Sequence, residues 1–170
     1  ELPGRVAIVA GGVGLASVLL AARACVERGV PTELLYGART QTALVDADLF
    51  EAAGASVRCA TDDGSSGHHG YVTDLVERGE RPDLILACGP TPMLRAVARK
   101  AAGLGIPAQL SLEETFGCGV GACWGCTVAI DRASRQAPPF PPAHDNQTRT
   151  SVNARICKEG PVFWAHELRW

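Results

Sequence analysis

Between residues 5 and 113 the chain repeats one pattern: a short apolar run, a glycine-rich or polar break, then a helical segment. The runs are RVAIVA (5–10), TELLYG (32–37), ASVRCA (55–60), DLILAC (83–88) and PAQLSLE (107–113). Helical patterns cover 15–27, 43–53, 71–79 and 89–105. Strands that alternate with helices at this spacing make right-handed crossovers and a parallel sheet, because only a helix-length connection returns the chain to the same sheet edge. RVAIVA is a short buried-strand run, and DLILAC is the most strand-like of the five. The pattern predicts an α/β fold: a five-stranded, parallel, doubly wound nucleotide-binding sheet over residues 1–114. A residue 115–170 segment of different character follows.

Composition narrows the function classes. With 170 residues and 46% hydrophobic content, the chain can bury a core without disulfides. Its net charge of −2 comes from interspersed acids and bases, with no basic stripe to suggest nucleic acid. The apolar run at 13–25 resembles a lipoprotein signal ending at Cys25. It is preceded by glycines, carries Arg23, and is too short to span a bilayer. No membrane association and a cytoplasmic location are expected. The first residue is Glu1, so the chain is read as a fragment or processed product.

Ligands of doubly wound sheets lie beyond the carboxyl ends of the strands. The segments there are GGVG, GART, TDDGSSG and CGPTPM. Gly12 and Gly14 nearly match a dinucleotide fingerprint, whose third glycine is here Ser17. They suit either a phosphate-binding turn or a plain tight turn. No acidic residue follows the second strand; Arg39 stands there, able to meet a phosphate. Asp62, Asp63, Gly64 and Ser65 offer ribose contacts, or a turn capped by Asp and Ser. Gly89 and Pro90 open a helix after a buried strand. Cys88 falls at the strand's carboxyl end, where a nicotinamide would lie, and is the candidate catalytic residue. His68 and His69 are read as solvated loop residues.

The C-terminal segment opens with GCGVGACWGC, residues 117–126. Of seven cysteines, Cys118, Cys123, Cys126 and Cys157 are the candidate metal ligands. Cys-x4-Cys-x2-Cys with a distant fourth cysteine is the plant-type [2Fe–2S] spacing. The glycines let the backbone approach an inorganic cluster and aim its amides at sulfur. Zinc and a disulfide also remain. Zinc sites usually pair two Cys-x-x-Cys knuckles, and disulfides suit a cytosolic protein poorly. TVAID (127–131) reads as a strand. The proline-rich 132–150 reads as an exposed loop, and the aromatic tail as packing back on the small module.

GGVGLAS, TDDGSSG, CGPTPML, SLEETFGCGVGACWGC and RICKEGPVF together resemble the iron–sulfur electron-transfer subunit of dihydroorotate dehydrogenase B, in the ferredoxin–NADP reductase superfamily. The resemblance covers nearly the whole chain. It implies NADH on the sheet domain, FAD as hydride acceptor, and a [2Fe–2S] cluster leading to an FMN-containing catalytic subunit in a heterotetramer. It also implies that FAD is held mainly by an N-terminal barrel absent from this chain. Related diaphorase subunits serve hydrogenases, sulfite or sulfur reductases, or transhydrogenases. The reading from another class is a non-enzymatic, zinc-stabilised nucleotide-binding module.

Overall fold

The computed structural model describes residues 3–131 and 151–170. The proline-rich segment read as a loop lies outside the described residues, as does Glu1.

The central strand β1 (Val6–Gly11) is buried at every position. It is flanked in parallel by β2 (Thr32–Ala38) and β5 (Leu84–Cys88). Beyond β2 lie β3 (Ser56–Thr61) and the two-residue β4 (His68–His69), and beyond β5 lies β6 (Ala108–Ser111), all parallel. All five expected strands form. Alternate residues of β1 serve opposite layers, since successive side chains point to opposite faces. Val6, Ile8 and Ala10 pack with Leu15, Val18 and Ala22 of α1 (Gly14–Glu27), while Ala7 and Val9 share a layer with Leu94, Val97 and Ala101 of α3 (Thr91–Leu104). Both helices bury residues three and four apart, the spacing of one helical face. Pro90 and Pro92 open α3, and Gly105 in the left-handed region closes it.

The sheet has seven strands rather than five. Its order is β4-β3-β2-β1-β5-β6-β9. The last, β9 (Val162–Trp164), comes from the C-terminal tail and runs antiparallel to β6, setting Phe163 against Leu110. β4 and β9 are too short to leave a pattern in the sequence, and each exists only because a free edge offers it backbone partners. The expected tail packing is therefore shared. Leu168 bridges Ile130, and the Arg169 amide donates to the Ala129 carbonyl, on a separate two-stranded ribbon. That ribbon pairs β7 (Thr127–Asp131) antiparallel with β8 (Ser151–Arg155).

Two helical expectations shrink. Residues 71–79 form a 3-10 helix, Val72–Glu77, squeezed between Gly70 and Gly79 and rich in β-branched residues that disfavour an α-helix. In 43–53 only α2 (Asp48–Ala52) is α-helical, because Asp46 adopts a positive φ of 57° and interrupts the run. Among the described residues no helix is long and apolar enough to cross a membrane.

α1 returns to one side of the sheet and α3 to the other, so the crossovers diverge between β1 and β5. That point is the topological switch, where strand ends leave a crevice. Gly14 makes it possible: a Cβ there would lie 2.5 Å from the Cys88 carbonyl oxygen and 2.8 Å from the Gly89 nitrogen. Neither is a side chain that can rotate away. Gly14→Ala is expected to cost about 1–3 kcal/mol through overpacking. The check is a lowered urea midpoint at unchanged m-value.

Candidate functional site

Two sites stand out. The first is a cleft of about 610 Å³ at the switch point, within the usual size of small-molecule sites. Gly11 and Gly12 of the first turn, Arg39 after β2, Asp62 after β3 and Pro90 after β5 all line it. Four sequence-derived candidates, Gly12, Arg39, Asp62 and Pro90, thus converge from four different strand ends. The α1 N-terminus beneath them has no acidic residue in its first turn, so nothing opposes an anion's approach to its amides.

The other candidates lie apart from the cleft wall. Gly14 is buried behind it as a packing residue. Asp63, Gly64 and Ser65 close a turn: the Ser65 amide and hydroxyl both donate to Asp63 Oδ1, at 2.9 and 2.6 Å. These bonds hold the exposed Asp63 carboxyl below the ordinary carboxylate range. Ser65 Oγ in turn accepts from the Gln41 amide at 2.8 Å. Gly89 sits between strand and helix, where a side chain would strike Met93. His68 lies on an edge strand, 3.6 Å from Asp74. Pro92 and Met93, from the CGPTPM segment expected at the site, also line the cleft, while sequence reading missed Tyr71 and Ala96 on its wall. Tyr71 is 71% exposed, an aromatic lip on a polar loop. An aromatic next to Gly70 was the available signal.

Cys88 ends β5, in register with Ala10 and Ser111. It is fully buried, and its Sγ donates to Glu113 Oε1 at 3.5 Å. Burial pushes the thiol up; hydrogen bonds from Ser17 and Ser111 oppose this and Glu113 adds to it. The side chain is therefore a neutral hydrogen-bonding thiol at neutral pH, not a thiolate nucleophile. Ser17, Ser111 and Glu113 are its polar surround.

The second site is the cysteine loop. The Ala122 and Cys123 amides donate to Cys118 Sγ at 3.3 and 3.4 Å, and the Gly125 amide to Cys123 Sγ at 3.4 Å. The four sulfurs fall into two pairs. Cys118 neighbours Cys123 and has its pKa lowered to about 6, chiefly by the Cys123 and Val120 amides. Cys126 neighbours Cys157: its thiol is lowered by the Cys157 amide and thiol, while Cys157 is raised by the same hydrogen bond. The Cys118 charge adds a smaller upward push on Cys157. Among the described residues no three His, Cys, Asp or Glu side chains gather around one point as a single ion requires. A dinuclear cluster needs two thiolates per iron and amides aimed at sulfur, and this donor set fits it.

Behind the loop lies a charge pair that sequence reading missed. Arg155, 6% exposed, ends β8. It donates to Glu159 and, through Nη1, to the Gly121 carbonyl at 2.6 Å. It also stacks over Trp124.

Residues 8–99 match the oxidoreductase NAD-binding domain family. A probable dihydroorotate dehydrogenase B (NAD(+)) electron transfer subunit of Methanothermobacter thermautotrophicus is 36% identical over 99% of this chain and 56% of its own length. The Bacillus caldolyticus dihydroorotate dehydrogenase B (NAD(+)) electron transfer subunit is 38% identical over 96% of this chain and 57% of its own. The chain thus spans little more than half the length of these relatives. A chain of the NADH-dependent reduced ferredoxin–NADP oxidoreductase, a structure described in terms of flavin-based electron bifurcation, superposes with a TM-score of 0.78. It is 30% identical, over 98% of this chain and 54% of that one.

The loop's electrostatics can be measured on metal-free protein. Cys118 is exposed and lowered to about 6, so it is mostly thiolate at pH 7 and reprotonates as pH falls through that value. Iodoacetamide with peptide mass mapping should label Cys118 well before Cys88 at pH 7. The Cys118 rate should fall off near pH 6 rather than at the ordinary thiol value of about 8.5.

Proposed function

The chain belongs to the oxidoreductase NAD-binding domain family and is homologous over nearly its whole length to dihydroorotate dehydrogenase B electron transfer subunits; from that premise we propose that it carries reducing equivalents from NADH, by way of FAD and a [2Fe–2S] cluster, to a separate FMN-containing subunit that oxidises dihydroorotate. The observation that carries the reading is the pairing of Cys118 with Cys123 and of Cys126 with Cys157, on a loop whose amides point at sulfur. A single zinc ion is served less well by two pairs than by four converging sulfurs.

Labour divides along the chain in this proposal: residues 1–114 take the pyridine nucleotide and 115–170 hold the cluster. Gly12, Arg39, Asp62 and Pro90 receive the nucleotide in the cleft, Arg39 by charge on a phosphate and Asp62 by accepting from a ribose hydroxyl. Tyr71 offers a ring face to a base. Asp63, Gly64 and Ser65 shape the loop that presents Asp62. Buried Cys88, hydrogen-bonded to Glu113, Ser17 and Ser111, gives a neutral donor at the carboxyl end of the central strands. FAD rests mainly on residues outside this chain. The flavin, when bound, would supply the change from two-electron to one-electron transfer; the protein supplies positions and potentials. We place the protein in the cytoplasm, in a heterotetramer with its catalytic partner.

A second reading, an electron-transfer subunit of another redox enzyme, is favoured by the likeness to the ferredoxin–NADP oxidoreductase chain. Both readings require NADH, flavin and cluster; they part at the acceptor. Anaerobically purified protein is expected to hold about two iron and two sulfide per cluster. A colourless protein with one zinc would sink the cluster assignment. Cys123→Ser should remove the visible absorbance yet leave the far-ultraviolet circular dichroism of the sheet. Collapse of the whole fold in that variant would refute the division of labour. NAD(+) reduction by dihydroorotate in the complex copurified with this chain separates the two acceptors; its absence favours the second.

A further inference from the structure

We infer that Arg155 and Glu159 form a buried clamp that holds the cysteine loop against the Cys157 segment and, by balancing opposite charges beside the thiolates, sets the reduction potential and the lifetime of the cluster. The inference rests on the cluster reading above. Both are positioning residues, acting on the site through the loop.

The clamp is built from both ends. Arg155 lies two positions before Cys157, and its side chain is 8% exposed; that of Glu159 is 17% exposed. Their contact is bidentate: Arg155 Nε donates to Glu159 Oε2 at 3.0 Å and Nη2 to Oε1 at 2.5 Å. The same carboxylate accepts from the Arg155 backbone amide at 2.6 Å, at the start of the short helix α4 (Ile156–Glu159). The guanidinium is thereby fixed, since the flat fork of arginine matches a carboxylate in one orientation.

From that anchor it reaches across to the loop. Nη1 donates to the Gly121 carbonyl, and Cζ stands 4.5 Å from the Trp124 ring centre. Gly121 and Trp124 flank Cys123, so one side chain grips the loop that carries three cysteines while its backbone leads into the fourth. The grip is needed. Trp124 has a φ of 59°, a conformation non-glycine residues keep only when their surroundings impose it. Gly121, at φ 81°, lies where a Cβ would press Lys158 Cδ at 2.9 Å and Arg155 Nη1 at 3.4 Å.

Packing alone does not explain the choice of residues. Burying an ion pair is expensive, and apolar residues of equal volume often stabilise a protein as well. A charge in this place has an electrostatic consequence. The charge stands beside the cysteines: Arg155 lies two positions before Cys157, and its Nη1 rests on the Gly121 carbonyl of the loop that carries Cys118 and Cys123. A thiolate-bound iron–sulfur cluster carries a net negative charge that grows on reduction, so a fixed cation favours the reduced form and a fixed anion opposes it. The pair presents both, nearly cancelled.

Removing one partner at a time exposes each sign. The experiment is a spectroelectrochemical titration of the anaerobically purified, cluster-loaded protein, with iron and sulfide quantified first, and the half-life of the visible absorbance in air. Arg155→Gln is expected to shift the potential negative and Glu159→Gln to shift it positive. Both should shorten the half-life by about tenfold, from lost charge-assisted hydrogen bonds. Arg155→Lys keeps the charge without the fork, so its potential should stay near wild type while the half-life still falls. Shifts of the same sign, or none, would overturn the clamp as a potential-setting device. If Arg155→Gln does not fold, a Glu159→Gln variant at the wild-type potential overturns it as well. Wild-type protein without iron and sulfide overturns the cluster reading, and the clamp with it; loaded wild type with unmoved variants overturns the clamp alone.

Discussion

The tight contact between the first turn and the end of β5 is the constraint on which the molecule's geometry depends. Gly14 lies against the Cys88 carbonyl with no room for a side chain. This contact lets α1 leave the sheet on one side while α3 leaves on the other, and the divergence opens the cleft. Four chain segments distant in sequence then place Gly12, Arg39, Asp62 and Pro90 around one volume. Each lies just past a strand end, where the Gly12 and Asp62 amides still donate to the Gly37 and Ala38 carbonyls next door, so the turns are held in place as they present their polar groups.

The cysteine loop obeys a different economy. It has little apolar surface to bury; Phe116, Val120 and Trp124 are exposed. Its shape comes from backbone amides directed at sulfur and from the Arg155–Glu159 pair behind it. The β7–β8 ribbon supports this arrangement through Cys126, Ile130, Ala154 and Ile156, which join the same apolar layer as α3 and the sheet. The Ile156 amide donates to the Cys126 carbonyl, fastening one cysteine pair to the ribbon. The tail completes the layer: Phe163 enters from β9 and Leu168 from the turn beyond it. The small module is therefore packed on the nucleotide sheet rather than merely attached to it.

Legibility in the sequence followed the range of the forces involved. The inner strands β1, β2 and β5 could be read because their faces are largely covered, which leaves apolar runs; β3 and β6, farther out, are less buried and carry polar residues such as Arg58 and Gln109. Helices α1 and α3 were clear because one face of each is apolar and glycines or prolines mark their ends. Segment 71–79 reads as a helix and forms one, but a short 3-10 helix, Val72–Glu77, whose Val72 lies close against Gly37. β4 and β9 were invisible, being two and three residues held only by an edge. Within TDDGSSG, only Asp62 reaches the cleft; the neighbouring turn satisfies Asp63 and Ser65 internally, an outcome decided by local hydrogen bonds that compete with any ligand.

The sequence by itself determined the alternation that makes a parallel sheet, the glycine and proline breaks at the strand ends, and the spacing of Cys118, Cys123 and Cys126. These are local properties, dictated by side-chain periodicity and backbone freedom over a few residues. Only the tertiary structure decided that Gly14 is a packing residue, that Cys88 is a buried neutral thiol beside Glu113, and that Arg155 joins the two halves of the cysteine set. Burial and pairing depend on partners 25 and 34 residues away, and a linear pattern carries no information about which distant group will exclude water from a charge or share its proton.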